Sequence, residues 1–218
     1  MEIKVLKDIL SANNQIAERN RQLLDSNNVF AVNLMSSPGA GKTSLILETI
    51  KKLKGKTRSG VVEGDIRSSL DAEIIGKEGV PVIQINTGGE CHLDANMLSS
   101  ALSNVPLLDI ELLLIENVGN LVCPAEFTLG EHKKVLISSI PEGDDKPFKY
   151  PLMFDIADAV VINKIDLLPY IKFDIQTFPR TIKVINEKVA IFQISCTTGQ
   201  GIEQWVSWLL TQMGKRQS

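Results

Sequence analysis

The chain has 218 residues, 44% of them hydrophobic and 22% charged, with a net charge of −3; this suits one α/β domain able to bury its own core. That balance argues against a nucleic-acid or anionic-membrane partner, and no apolar run approaches the ~20 residues of a membrane span. Three cysteines and an N-terminus, MEIKVLKDIL, without the uncharged core of a secretion signal point to reduced thiols and a cytoplasmic protein.

In chain order, residues 3–25 read as an amphipathic helix. Ile9/Leu10, Ile16/Ala17 and Leu23/Leu24 recur seven residues apart and give one apolar stripe. The stripe either packs on the outer face of the domain or docks a partner protein. Residues 1–28 are therefore taken as helix and linker, and 29–218 as the main domain. An apolar strand over 29–35 runs into SSPGAGKT, and a helix to about residue 53 follows. Further strands are expected over 58–63, 82–85, 112–115, 135–140, 159–162 and 189–194. Helices are expected from Ile66, up to Leu102, and over 201–213. A charged, proline-rich loop spans 141–151, long enough to be functional. The outcome is a mostly parallel sheet of about seven strands flanked by helices.

Strand, tight loop and helix start are the context of a phosphate-binding loop. Gly39, Ala40 and Gly41 let backbone N–H groups face phosphate oxygens, with Ser44 in the first helical turn. Lys42 reaches the β- and γ-phosphates, and the Thr43 hydroxyl ligates Mg²⁺. Ser36 stands where the usual pattern has its first glycine, so the loop is a variant. Asp65 closes a strand beside this loop, placed to act on Mg²⁺ or the attacking water, or to cap the next helix. Glu116 ends another strand with Gly119 three residues on, the layout of a γ-phosphate sensor: the carboxylate holds Mg²⁺ and the Gly119 N–H meets the phosphate. Asn163-Lys164-Ile165-Asp166 lies ~120 residues after the phosphate loop. Its Asp166 carboxylate can accept two hydrogen bonds from guanine, which adenine cannot offer. Ser195 and Cys196, after the last strand, can supply backbone N–H groups to the base.

GAGKT, ExxG and NKID in this order make a GTPase of the P-loop NTPase fold. Together with Asp65 and the stretches NTGGECHLDA, ENVGNLVCPAEF, EGDDKPFKYP and VINKIDLL, they resemble the HypB family of hydrogenase maturation GTPases, in the SIMIBI class. The resemblance covers about residues 5–210. It implies Mg²⁺-dependent hydrolysis of GTP to GDP, expected to be slow without a partner because no arginine finger is evident, a homodimer favoured by GTP, and nickel delivery to the hydrogenase large-subunit precursor. A nickel chaperone, HypA, is the implied partner, and the apolar stripe of the N-terminal helix is the contact expected for it. Carried over, Cys91, His92 and Cys123 are the Ni²⁺ or Zn²⁺ site. The urease accessory family UreG is the near neighbour. It carries a Cys-Pro-His triplet, whereas here Cys91-His92 and Cys123-Pro124 lie apart. Many HypB proteins have an N-terminal cysteine motif or a histidine-rich stretch. Neither occurs in this sequence, which has two histidines in all, so no nickel store is expected.

Thiolate and imidazole suit Zn²⁺ or Ni²⁺, yet three groups fall short of a four-ligand site. Adjacent Cys91 and His92 are expected to point apart, which favours a site shared across a two-fold axis, with Cys91 and Cys123 the firmest ligands. On residue type alone these are equally loop thiols. His132 reads as a surface histidine or a neighbour of the metal. Lys146 or Lys149 could bring charge across an interface, since no arginine finger is evident. The rival to metal delivery is a GTP-dependent recruitment switch, which would not need Cys91 or Cys123. A urease-type nickel accessory GTPase is the other alternative.

Overall fold

The computed structural model describes residues 4–65 and 69–214, with the backbone alone for 4–9. Ile3 and Ile66, where two of the expected helices begin, lie outside the described residues, as does the side chain of Ile9. Seven parallel strands form one sheet in the order β3-β2-β4-β1-β5-β6-β7. They are β1 (Phe30–Ser36), β2 (Ser59–Asp65), β3 (Val82–Asn86), β4 (Leu112–Glu116), β5 (Lys133–Ser139), β6 (Ala159–Asn163) and β7 (Ala190–Gln193). Each of the seven expected strands is present, with ends displaced by one or two residues.

The central strand β1 is buried along its whole length, as a parallel strand covered on both faces must be. Its alternation of side chains feeds two layers. Phe30, Val32 and Leu34 pack with Leu45, Ile46, Ile50 and Leu53 of α2 (Lys42–Leu53) and with Trp205 and Leu209 of α8 (Ile202–Gly214). On the opposite face Val29 and Ala31 join Leu98 and Leu102 of α4 (Ala95–Leu102). Met35, further along β1, joins Met153, Phe154, Phe178 and Ile182. The buried Trp205 indole N–H donates to Thr49 Oγ1 at 2.9 Å, so its burial leaves no donor unmet.

The first helix, α1 (Lys4–Ser26), lies against α4 and the start of β1. Its inward positions are Asn13, Ala17, Asn20 and Leu24, all buried, at the 4-3-4 spacing of one helical face. Leu23, expected in the stripe, is 41% exposed. Asn20 Nδ2 donates to the carbonyls of Ala95 and Leu129 at 2.8 and 2.9 Å, and Asn13 bonds Thr128 O and Ala95 N. Apolar periodicity misses such a face because two of these four inward residues are asparagines that hydrogen-bond backbone groups of Ala95, Thr128 and Leu129. His132 secures the far end of this helix. Its Nδ1 accepts from Ala31 N at 2.9 Å, its Nε2 faces Asp25 Oδ1 at 2.9 Å, and its ring stacks on Phe30. It is therefore a packed structural histidine, with a side chain 8% exposed, and neither a surface group nor part of the thiol cluster described below.

The segment after β5 also departs from expectation. It is a 3-10 turn, Ile140–Glu142, followed by α5 (Lys146–Lys149) and α6 (Pro151–Asp155). Pro141, Pro147 and Pro151 each sit at the first or second helical position, where a missing N–H costs nothing; read as loop formers, they disguised these turns. Lys149 is ion-paired with Asp145, and Lys146 lies over the Tyr150 ring at 5.5 Å. A further helix, α7 (Thr177–Ile185), fills a stretch with no sequence expectation. The remaining helix, α3 (Leu70–Gly76), follows β2. Among the described residues no helix is long and apolar enough to cross a membrane.

Candidate nucleotide and metal site

Every strand-end motif converges at the C-terminal edge of the sheet, where ligands of open α/β folds bind. A cleft of about 480 Å³ opens there, lined by the phosphate loop, the ends of β2 and β4, Asp71 of α3 and residues 117–119. Gly41 begins α2 in the left-handed region at φ 103°. A Cβ there would lie 2.4 Å from Asn163 Nδ2, so both conformation and space require glycine. Gly119 abuts the loop in the same way, since a Cβ on it would meet the Pro38 backbone at 2.9 Å.

Lys42 and Glu116 are both buried, with Lys42 Nζ 4.0 Å from Glu116 Oε1 and 3.2 Å from Ser36 Oγ. Ser36 thus contributes a hydroxyl to the lysine from the position where glycine is usual. Thr43 Oγ1 donates to Glu116 Oε1 at 2.9 Å. The other oxygen, Glu116 Oε2, is buried without a hydrogen-bond partner among the described residues. Burial raises the Glu116 carboxyl to about 7, against the opposing pull of Lys42 and the Thr43 bond. Ser37 Oγ donates to Glu142, whose other oxygen accepts from Ser139 N and Oγ at 2.7 Å, so the phosphate loop is tied to the turn after β5.

Glu63 is a site residue that the sequence reading missed. It faces Glu116 in register across β2 and β4, is 2% exposed, and lines the same cleft. Burial, then the neighbouring Glu116, Asp65 and Asp71 charges, raise its carboxyl to about 8. Asp71 was missed as well. No local motif marks either one. The only signal was a glutamate inside an otherwise apolar strand, two residues before Asp65. Hard oxygen donors around a lysine fit Mg²⁺; Thr43, Asp65 and Glu116 are the residues that would hold it.

The base-side motif divides its labour. Asn163 Nδ2 donates to Ala40 O at 3.0 Å, and its Oδ1 accepts from Lys164 N at 2.7 Å and Cys196 N at 3.4 Å. Lys164 has φ 63°, and its Nζ donates to Gly39 O at 2.7 Å. These two side chains thus brace the phosphate loop. Asp166 Oδ1 is instead buried with no hydrogen-bond partner among the described residues, an acceptor open to a ligand. The Ser195 N–H is engaged by Gln200 O at 2.9 Å, so it is not available to a base as the sequence suggested. Burial pushes the Cys196 thiol up to about 11, which keeps it protonated and unreactive at neutral pH.

The third group of residues lies beside the cleft. Cys91 Sγ is 3.2 Å from Cys123 Sγ and 3.8 Å from His92 Nδ1. One ligand atom from each of the three residues lies within 4.8 Å of the others. Cys91 and His92 therefore converge within one chain, contrary to the expectation that neighbours would diverge. An irregular loop, unlike a strand, imposes no alternation on successive side chains. Phe127 holds the His92 ring at 4.2 Å between centroids. All three cysteines are free thiols, and the hydrogen bond to Cys123 raises the Cys91 thiol above its ordinary value. Two thiols and an imidazole suit a borderline-soft divalent ion.

The two regions share a wall. Asn117 Oδ1 accepts from Leu93 N at 3.0 Å, and Asn120 Nδ2 donates to Cys91 O at 3.2 Å. Leu93 is fully buried and packs against Gly64, where a Cβ would meet it at 2.7 Å. Residues 116–120 thus touch the phosphate cleft on one side and the thiol loop on the other.

Comparison with known proteins points to one family. The family model described as CobW/HypB/UreG, nucleotide-binding domain, matches residues 30–193. The hydrogenase maturation factor HypB of Escherichia coli strain K12 is 47% identical over 212 residues, which cover 97% of this chain and 72% of that protein. The crystal structure of the hydrogenase maturation factor HypB from Archaeoglobus fulgidus is 39% identical, with a TM-score of 0.88 over 93% of this chain and 99% of that one. The crystal structure of HypB from Helicobacter pylori in complex with nickel is 34% identical, with a TM-score of 0.90 over 94% and 96% of the two chains.

Proposed function

The chain belongs to the CobW/HypB/UreG family and, within it, to the HypB hydrogenase maturation factors, and on that premise we propose that it hydrolyses GTP and uses the nucleotide state to control nickel held by Cys91, His92 and Cys123. Residues 116–120 carry this reading. They line the phosphate cleft through Glu116–Gly119 and bond the Cys91 loop through Asn117 and Asn120. A segment that moves with the γ-phosphate would therefore move the thiols. Coupling of ~1–3 kcal/mol is ordinary for such linkage.

In the reaction, the backbone of residues 39–44 and the Lys42 ammonium hold the β- and γ-phosphates. Mg²⁺, held by Thr43, Asp65 and Glu116, supplies charge neutralisation at the transferring phosphoryl group when bound. Asp65 orients the attacking water. Asp166 reads guanine, while Asn163 and Lys164 hold the phosphate loop in place. The nickel ion is cargo. The thiol cluster takes it as a two-thiolate, one-imidazole set and releases it as residues 116–120 rearrange. GTP favours a homodimer, the nickel chaperone HypA exchanges the ion, and the hydrogenase large-subunit precursor receives it, directly or through HypA, in the cytoplasm.

Equilibrium dialysis with ⁶³Ni²⁺ on protein held in GDP, then in a non-hydrolysable GTP analogue, tests the reading. At least a fivefold change in nickel affinity between the two states is expected. Equal binding in both states, or none, would leave a nucleotide switch whose cysteines serve structure.

A further inference from the structure

We propose that Glu63 belongs to the divalent-cation site of the phosphate cleft, accepting hydrogen bonds from water in the shell of the nucleotide's Mg²⁺, and that it sets how strongly nucleotide binding depends on that ion. The inference rests on the nucleotide reading above. Glu63 stands opposite Glu116 in the β2–β4 register, and residues facing each other across strands project to the same side of the sheet. Both line the cleft beside Lys42 and Thr43. Among the described residues lining that cleft, Glu63, Asp65, Asp71 and Glu116 face a single ammonium, Lys42. Nucleotide phosphates would add further negative charge to this excess.

The decisive feature is the state of the Glu63 side chain. It is 2% exposed, and its Oε2 is buried without a hydrogen-bond partner among the described residues. Glu116, by contrast, has one oxygen on Thr43 and near Lys42. Glu131 shows what a structural buried glutamate in this protein looks like: its oxygens take Leu129 N at 2.7 Å, Thr128 Oγ1 at 3.2 Å and Asn33 Nδ2 at 3.3 Å. A carboxylate oxygen taken out of water and left unpaired is costly. Glu63 is therefore suited to a ligand shell that the described residues do not supply. Mg²⁺ keeps several of its waters and is bound through few carboxylates, so an acceptor one water away from the ion suits this residue. Cation-shell residues of this kind change metal affinity by about 10–100-fold.

The test is calorimetric titration of GDP into the wild type and Glu63→Gln, each in millimolar Mg²⁺ and in excess EDTA. The wild type is expected to bind GDP more tightly with Mg²⁺. Glu63→Gln should lose about tenfold of that gain, while in EDTA the two proteins agree within a few-fold or the variant binds tighter. Retention of the full Mg²⁺ gain by the variant would overturn the proposal. So would an equal loss with and without Mg²⁺, which marks a structural defect, or a wild type whose GDP binding ignores Mg²⁺. Failure of the wild type to bind GDP at all would instead remove the nucleotide reading together with this inference.

Discussion

The nucleotide cleft and the thiol cluster share a wall but are built on opposite terms. The cleft is assembled from strand ends and a helix start, and its key groups Lys42, Glu63 and Glu116 are buried. It contains buried oxygens on Glu63 and Glu116, with Asp166 on the base side, that no described residue satisfies. Such a site is incomplete without its ligand. The cluster is assembled from irregular loops, Cys91 is exposed, and the groups contact each other across 3.2 and 3.8 Å. It is tolerable empty. The contrast supports the proposed function, in which one ligand, the nucleotide, is kept and the other passed on.

Breaking one side should leave the other standing. The largest effect is expected at the base. Asp166→Ala should reduce the preference for GTP over ATP by on the order of 10³-fold, measured by competition binding, with nickel binding by the nucleotide-free protein unchanged. An unaltered preference would mean that the guanine assignment is wrong. Next in size, Cys123→Ser should weaken nickel binding by about 10–100-fold. GDP affinity should stay within twofold, because Cys123 lies outside the cleft lining. If GDP affinity fell equally, the two regions would not be separable. The smallest effect sharpens the comparison instead of breaking it. Asn120→Ala removes one of the two hydrogen bonds across the shared wall. It should leave nickel and GDP binding each near wild type while reducing the influence of nucleotide on nickel affinity by about two- to fivefold. Undiminished coupling would place the route elsewhere.

How far each region could be read in advance follows from how local its causes are. The phosphate loop, the Glu116–Gly119 turn and the Asn163–Asp166 motif are each written within eight consecutive residues, and each lies at the strand end where periodicity placed it. Glu63 was illegible because its meaning comes from Glu116, a register partner on another strand. Asn13 and Asn20 were illegible because a helix face that bonds loop carbonyls carries no apolar period. His132 shows the same limit: its partners, Asp25 and Ala31, are about a hundred residues away in sequence. Asn163 and Lys164 were recognised as part of the nucleotide motif, but their bonds to Ala40 and Gly39 are visible only in the fold.

By itself the sequence determined the order of the strands along the chain, the place of the phosphate loop and the place of the Asn163–Asp166 motif. Those features follow from short-range periodicity and backbone chemistry, which neighbours in the chain decide. The tertiary structure alone decided that, among the described residues lining the cleft, four carboxylates face one lysine, that Cys91, His92 and Cys123 meet within a single chain, and that residues 116–120 touch both sites. Those outcomes depend on strand register and on loops that meet across long stretches of chain, and no local pattern encodes a distance between residues that only folding brings together.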